Sequence, residues 1–118
     1  SGTSTNTLYG ITFGNNQFFS VGNSGKLIIS GDNGSNFSNV TSPVTKNIYS
    51  IAYGNNIFVG VGYRTVVVSN NNGSTVTEKE NTLSFNDVTF GNGIFAAVGD
   101  DEVIYTSSDG DTWTKVYP

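Results

Sequence analysis

Residues Phe85–Tyr117 read FNDVTFGNGIFAAVGDDEVIYTSSDGDTWTKVY. Within the run Asn86–Phe90, the apolar Val88 and Phe90 alternate with the polar Asp87 and Thr89, which is the pattern of a strand with one buried face. Gly91-Asn92-Gly93 and later polar turns divide the rest of the segment into further short strand-like runs. The stretch therefore predicts a four-stranded antiparallel meander. Its predicted strands are Asn86–Phe90, Ile94–Gly99, Val103–Thr106 and Thr112–Val116.

The same unit occurs twice more, nearer the N-terminus. Ile48–Asn56 matches Leu8–Asn16 position by position, 40 residues later. The third unit repeats the second after 37 residues without a gap, so that Phe90 corresponds to Tyr53. Three copies in phase indicate an internal repeat. The expected units are residues 8–41, 48–79 and 85–117 of one domain, and residues 1–7 are interpreted as a lead-in or the remnant of a tag.

A repeat of about 40 residues that contains four short strands is typical of a β-propeller blade. One such sheet cannot bury both of its faces alone. The predicted fold is therefore all-β, with three blades that stack against one another. A β-trefoil is the alternative architecture, because it also contains three repeats of four strands and closes within one chain.

Three blades are fewer than the roughly four to eight with which propellers close, so two sheet faces should stay open. Exposed apolar patches of that size are rare on monomers. We expect two identical chains to complete a six-bladed ring through a two-fold axis, which makes the chain its own partner in a homodimer. The alternative is that the chain is a fragment of a longer propeller.

Composition narrows the possible functions. The chain has 118 residues, with nine acidic and five basic side chains and neither His nor Cys. These two absences remove disulfides, thiol catalysis and most transition-metal sites, so no metal or cofactor is expected. A net charge of −4 without a basic cluster argues against nucleic-acid partners. No run of about 18 apolar residues is present, so no membrane insertion is expected.

The hairpin before the fourth strand of the first unit reads Ser30-Gly31-Asp32-Asn33-Gly34-Ser35-Asn36-Phe37, and the other two units carry related hairpins. These hairpins resemble the Asp-box, or BNR, repeat of sialidases and many other propellers. The family pattern is Ser/Thr-x-Asp-x-Gly-x-Thr-Trp/Phe. The resemblance implies a structural lock, in which the Asp-type side chain accepts backbone N–H bonds and the aromatic side chain packs into the blade. The matching residues are Ser30, Asp32, Gly34 and Phe37 in the first unit, Ser69, Asn71 and Gly73 in the second, and Thr106, Ser108, Gly110 and Trp113 in the third.

The sialidase resemblance raises the question of enzymatic activity, and the residues argue against it. Sialidases bind the substrate carboxylate with three Arg, whereas Arg64 is the one Arg of this chain. Asp100-Asp101-Glu102 is an acidic cluster in a predicted turn, which favours solvated charge or weak Ca²⁺ binding over the separated carboxylate pair of a glycosidase. We expect no catalytic residues, and a glycosidase fragment is the less favoured alternative.

A binding role is favoured by the loops between the second and third strands. These loops differ among the units, whereas the scaffold positions agree. Tyr63 beside Arg64 provides an aromatic platform and a hydrogen-bonding fork. Short chains that assemble into propeller lectins give an analogy for a carbohydrate ligand. The candidate ligand-binding residues are Tyr63, Arg64, Asn23 and Asp101.

We therefore predict a non-enzymatic module that recognises carbohydrate or protein. The Asn-rich, Cys-free and acidic composition favours an extracellular or cell-surface location, in a bacterium. The alternative function is a purely structural or interaction segment of a larger surface protein.

Overall fold

The computed structural model describes residues 6–117, which form three four-stranded antiparallel sheets. The first sheet contains β1 (Leu8–Gly14), β2 (Gln17–Gly22), β3 (Leu27–Ser30) and β4 (Ser38–Asn39). The second contains β5 (Ile48–Gly54), β6 (Ile57–Gly62), β7 (Thr65–Ser69) and β8 (Thr77–Glu80). The third contains β9 (Asp87–Gly91), β10 (Ile94–Val98), β11 (Ile104–Ser107) and β12 (Thr114–Val116).

The strands of each sheet pair in chain order, so the all-β meander prediction is confirmed. We call the sheets blades 1, 2 and 3. Of the predicted lead-in, residues 1–5 lie outside the described part of the chain.

Two-residue turns join the first and second strands of every blade. All six turn residues have positive φ, between 49° and 81°. A type I′ turn requires this conformation at both positions, and Asn and Gly tolerate it best. The choice of Asn and Gly at these positions therefore explains why the hairpins are tight. The turn residues are Asn15 and Asn16, Asn55 and Asn56, and Asn92 and Gly93.

Blade 2 is central and buries both of its faces. Successive residues of a strand point to opposite faces, so Phe58 packs towards blade 1 and Val59 towards blade 3. The two side chains are 2% and 0% exposed. One apolar cluster fills the space between blades 1 and 2, and another fills the space between blades 2 and 3.

The innermost strands β1, β5 and β9 lie side by side, and aromatic rings cover glycines between them. The Tyr53 ring lies where a side chain at Gly14 would be, and the Phe90 ring lies over Gly54 in the same way. Blades 1 and 3 thus pack on opposite sides of blade 2 and leave their other faces open. The described chain does not close on itself as the trefoil alternative would require.

The structure corrects the ungapped alignment of the second and third units. Phe58 pairs with Ser69 across β6 and β7, and Phe95 pairs with Ser107 across β10 and β11. Ser107 therefore occupies the position that the sequence alignment assigned to Thr106. The loop before β11 has gained one residue and the hairpin after it has lost one, so the two length changes cancel in the sequence.

We predict that Gly54→Ala lowers the free energy of unfolding by about 1–3 kcal/mol, because the new methyl group must displace the Phe90 ring. Gly31→Ala is the control, because a Cβ there meets only Gln17 Oε1, at 3.5 Å. Urea denaturation of both variants checks the prediction. Equal stability of the two variants would contradict the proposed contact between ring and glycine.

Candidate functional site

The hairpin after the third strand of each blade is locked by two side chains. In blade 1, Ser30 Oγ donates to Asp32 Oδ1 at 2.8 Å and accepts from Gly34 N at 3.0 Å. Asp32 Oδ1 also accepts from Asn36 N at 3.0 Å. Two side chains therefore satisfy backbone donors that the tight turn leaves without ladder partners.

Blade 2 has the same lock with an amide in place of the carboxylate. Ser69 Oγ donates to Asn71 Oδ1 at 3.1 Å and accepts from Gly73 N at 2.8 Å. Asn71 Oδ1 accepts from Thr75 N at 3.0 Å. The hydrogen-bond pattern requires an oxygen acceptor, and a negative charge is not needed.

In blade 3, Ser107 and Asp109 hold the positions that the sequence alignment assigned to Thr106 and Ser108. Ser107 Oγ donates to Asp109 Oδ1 at 3.1 Å and accepts from Gly110 N at 2.8 Å. Thr106 instead pairs with Ala96 in the sheet. The shift follows from the shorter hairpin, in which Gly110 comes directly after the Asp.

The aromatic positions of the three hairpins differ in burial. Trp113 packs against Phe85, with ring centroids 5.5 Å apart, and its Nε1 donates to Gly110 O at 2.8 Å. Val76, at the same position in blade 2, is 9% exposed. Phe37 was predicted to pack into its blade but is 40% exposed, because it lies on the open side of blade 1.

The two carboxylates of the locks have lowered pKa values. The backbone N–H of Asn36 and the Ser30 hydroxyl stabilise the charged form and lower the pKa of Asp32. The backbone N–H groups of Thr112 and Asp111 lower the pKa of Asp109 in the same way. Hydrogen bonding therefore lowers both pKa values, and no ion pair to either carboxylate is found among residues 6–117.

The loops between the second and third strands lie along the opposite edge of the blades. Each contains a residue with positive φ: Ser24 at 55°, Arg64 at 51° and Asp101 at 61°. Ser24 N donates to Asn47 Oδ1 at 3.0 Å, and Arg64 N donates to Ser84 Oγ at 2.9 Å. The first two loops are thus fastened to the segment that enters the following blade. We call this edge, formed by residues 23–25, 63–64 and 100–102, the loop edge.

The loop that carries Tyr63 and Arg64 is held by a polar network that the sequence did not reveal. Lys46 Nζ donates to Arg64 O at 2.7 Å and forms a salt bridge to Glu78, 2.8 Å away. Thr65 Oγ1 donates to Glu78 Oε2 at 2.7 Å. Burial acts to raise the pKa of Glu78, but the hydrogen bonds from Lys46 and Thr65 outweigh it and lower that pKa.

The network holds the loop backbone and leaves the side chains of Tyr63 and Arg64 exposed. Tyr63 is 54% exposed, and no salt bridge to Arg64 is found among residues 6–117. The one available signal for this network was the presence of Lys46 and Glu78 in a chain with so few charges. The long-range contact between them could not be inferred from spacing.

The other two predicted ligand-binding residues are placed differently. Asn23 Oδ1 accepts from Thr7 N at 2.9 Å, so this side chain already has a structural partner. Asp101 is exposed at the tip of the third loop, where the neighbouring Asp100 accepts from Asn86 Nδ2 at 3.0 Å. The four candidate residues share the loop edge, and no hydrogen bond joins their side chains to one another within residues 6–117.

Neither a metal-binding cluster nor a membrane-spanning helix occurs among residues 6–117. Among the described residues, no group of three or more His, Cys, Asp or Glu side chains is arranged to hold a metal ion. The acidic turn Asp100–Glu102 is therefore not such a group. No helix in the described part of the chain is long and apolar enough to cross a membrane.

The locked hairpins, residues 31–37, 70–76 and 108–113, form the edge opposite the loop edge, which we call the hairpin edge. Shallow clefts occur there between neighbouring blades. The cleft between blades 2 and 3 has a volume of about 250 Å³, and Asn55 and Lys79 face Asp109 and Asp111 across it. The cleft between blades 1 and 2 has a volume of about 320 Å³ and is lined in part by Gln17 and Asn72. Both clefts are open and lined by polar and apolar side chains together, as expected where two blades meet.

The three stacked sheets define an all-β protein with propeller-type blades. Solved structures of similar fold support this class. YCF48 from Cyanidioschyzon merolae is 18% identical, with a TM-score of 0.73 over 93% of this chain and 37% of that chain. YCF48 bound to D1 peptide is 19% identical, with a TM-score of 0.78 over 94% and 41%. A chain of the nidogen/laminin complex is 13% identical, with a TM-score of 0.74 over 93% of this chain and 48% of that chain.

These similarities show a β-propeller-like fold. The chain spans less than half the length of each of these three chains. No protein-family model and no curated protein matches the sequence. The relation to Asp-box proteins is therefore a resemblance of the hairpins.

We predict that the double variant Asp32→Asn, Asp109→Asn has a shallower loss of stability in acid than the unchanged protein. Both carboxylates have folded-state pKa values below their ordinary value of 3.8. Their contribution is therefore complete above about pH 5 and is lost as the pH falls through the lowered pKa values. Asn71 shows that an amide can keep the lock.

Urea denaturation at pH 7, 4 and 2.5 measures this difference. Asp111→Asn is the control, because its side chain makes none of the hydrogen bonds of the lock. If the double variant and the control lose stability in parallel with the unchanged protein, the carboxylates do not act as described.

Proposed function

We propose that the chain is a non-enzymatic binding module that recognises an extended segment of another protein through the loop edge. The observation that carries this proposal is the pairing of an immobilised loop backbone with two exposed recognition side chains, Tyr63 and Arg64. A rigid loop loses little conformational entropy on binding, so its exposed side chains can contribute most of their contact energy.

The chemistry of the two side chains suits a peptide ligand. Tyr63 offers an aromatic surface for an apolar side chain or a peptide plane. The Arg64 guanidinium can donate two parallel hydrogen bonds to a carboxylate or to backbone carbonyl oxygens. YCF48, a protein of similar fold, has been solved with a D1 peptide bound, and this supports a peptide as the class of ligand.

Carbohydrate is the second candidate ligand. An aromatic platform beside a hydrogen-bonding fork also suits a sugar ring, and the polar Asn23 and Asp101 loops on the same edge would add hydroxyl partners. The exposed Tyr63 ring is the observation that favours this alternative.

We propose that the chain has no enzymatic activity, with a bacterial cell-surface or extracellular location. The absence of His and Cys from the sequence and the presence of a single Arg support the first statement. The acidic, Asn-rich composition supports the second. A purely structural segment of a larger surface protein is the function that remains if no ligand is found.

We further propose that the chain assembles with itself. Blades 1 and 3 each have an open face, and a second copy would cover both to give six blades around a two-fold axis. Additional blades of a longer chain are the alternative cover. Sedimentation equilibrium over a concentration series should give a mass near twice 12.5 kDa. A folded monomer at every concentration would contradict the assembly.

The binding proposal is tested on a peptide array and a glycan array, followed by titration of the strongest hit. We expect a peptide hit and a loss of affinity of roughly tenfold or more for Tyr63→Ala and for Arg64→Asn. Asn is chosen because Arg64 has a positive φ, which Asn tolerates. Asp111→Asn, at the opposite edge, should bind like the unchanged protein.

The outcomes separate the candidate functions. A sugar hit with the same dependence on Tyr63 would favour the carbohydrate ligand. Binding that is unaffected by both loop variants would place the site elsewhere, and two blank arrays would favour the structural role.

A further inference from the structure

We propose that the two open faces are complementary binding surfaces for each other, and that the partner on each is a second copy of this chain. The outer face of blade 1 would pack on the outer face of blade 3 of another copy, in the register that blades 1, 2 and 3 already use. This inference rests on the proposed self-assembly and specifies its contacts.

The outer face of blade 1 has the pattern of a buried face but lacks a neighbour. Leu8 and Ile11 are 49% and 59% exposed. Ile48 and Ile51, at the same positions of blade 2, are 0% and 7% exposed because blade 1 covers them. Blade 1 therefore presents apolar side chains that are buried wherever a preceding blade is present.

The first complementary contact is the aromatic ring over glycine. Tyr53 of blade 2 covers Gly14 of blade 1, and Phe90 of blade 3 covers Gly54 of blade 2. At the equivalent positions of the open faces, one ring covers no glycine and one glycine is covered by no ring. Phe13 of blade 1 is 52% exposed, and a Cβ at Gly91 of blade 3 would have no atom within 4 Å.

The second contact is made by the glycine of the locked hairpin. A Cβ at Gly110 would lie 2.8 Å from Val68 and 3.0 Å from Val59, so this hairpin rests on the preceding blade. A Cβ at Gly34, the same position in blade 1, has nothing within 4 Å. In blade 3, Ala96 and Thr106 pair across the strands as Val59 and Val68 do in blade 2. Ala96 and Thr106 are therefore the residues on which the Gly34 hairpin of a second copy would pack.

The side chains at this second contact also match in size. Phe19 of blade 1 and Val76 of blade 2 line the same small cavity, a large residue beside a small one. On the open faces the small residue is Ala96 of blade 3, at the position of Phe19, and the large residue is the exposed Phe37 of blade 1, at the position of Val76. The small side chain leaves room for the large one.

The third contact lies at the loop edge. Asn47 accepts from Ser24 N and Ser84 accepts from Arg64 N, each across two blades. Asp101 N, the equivalent donor of blade 3, has no hydrogen-bond partner within residues 6–117. Thr7 occupies the equivalent acceptor position before blade 1, and its hydroxyl oxygen can accept this bond from a second copy.

Three kinds of contact join neighbouring blades, at the inner strand, the hairpin edge and the loop edge. In each of them, blade 1 presents one partner group on its open face and blade 3 presents the complementary group on its own. An unrelated partner would have no reason to match both sets. A second copy supplies both at once, and this head-to-tail contact closes into a ring when it repeats around an axis.

The test uses two variants that break opposite halves of the same contact. Phe13→Ser removes the ring, and Gly91→Val fills the empty position under it. Gly91→Val should leave a single chain undisturbed, because the position has free space above it. Phe13→Ser removes a half-exposed ring together with its contact to the Phe18 ring of the same blade, whose centroid lies 4.9 Å away, so the fold of this variant is checked separately. Tyr117→Ser, which removes an aromatic side chain that is 78% exposed and follows the outermost strand, is the control.

Sedimentation equilibrium is measured for each variant over the same concentration series as the unchanged protein. We expect Phe13→Ser and Gly91→Val each to raise the dissociation constant on the order of 100-fold or more, because a ring of two chains contains this contact twice. Tyr117→Ser should assemble as the unchanged protein does, and circular dichroism should show that all variants are folded.

Mixing the two variants gives a further, specific result. Phe13→Ser retains an intact Gly91 face, and Gly91→Val retains an intact Phe13 face, so one sound contact can form between them. The mixture should therefore associate more strongly than either variant alone. A face-to-face dimer, in which two copies of blade 1 meet, would be insensitive to Gly91→Val and would show no such rescue.

The result separates two failures. If the unchanged protein stays monomeric, both the assembly and its contacts are overturned. If the unchanged protein assembles and both variants assemble equally well, the chain associates through another surface and the complementary contact alone is overturned.

Discussion

An aromatic ring packed over a glycine is the contact on which the stacking of the blades depends. A sheet edge and a ring can approach closely only where the side chain between them is missing, and Gly14 and Gly54 supply that gap. The ring then sets how closely the innermost strands β1, β5 and β9 approach. The two apolar clusters fill the wider space outside this line. The locked hairpins on one edge and the fastened loops on the other prevent the blades from sliding along each other.

The loop edge combines a backbone arrangement that repeats from blade to blade with side chains that differ. The strands and hairpin locks repeat, so their residues are constrained by the packing of neighbours. Each loop between the second and third strands contains a residue with positive φ, and in blades 1 and 2 the backbone N–H of that residue is bonded to the segment that enters the next blade. The side chains of the three loops nevertheless differ. In blade 2 two adjacent loop residues carry an exposed aromatic ring and a guanidinium, and a polar network holds their backbone in place.

Much of the fold was predictable because its signals are local. Alternating side chains define the strands, and Asn and Gly pairs with positive φ define the turns. The third hairpin was misaligned because an added loop residue and a lost hairpin residue cancel, so Ser107 and Asp109 escaped notice. The half-exposed Phe37 and the network of Lys46 and Glu78 were also missed. Both depend on which chain segments meet in space, and no local pattern contains that information.

The pairing of every strand with its neighbours in the chain has a kinetic consequence. Each sheet closes through loops of a few residues, so the entropy lost on closing them is small for an all-β protein. The central sheet, however, gains most of its stability from neighbours on both sides. Folding should therefore begin as local hairpins and become cooperative only when two adjacent sheets dock, in the nearest-neighbour manner of repeat proteins.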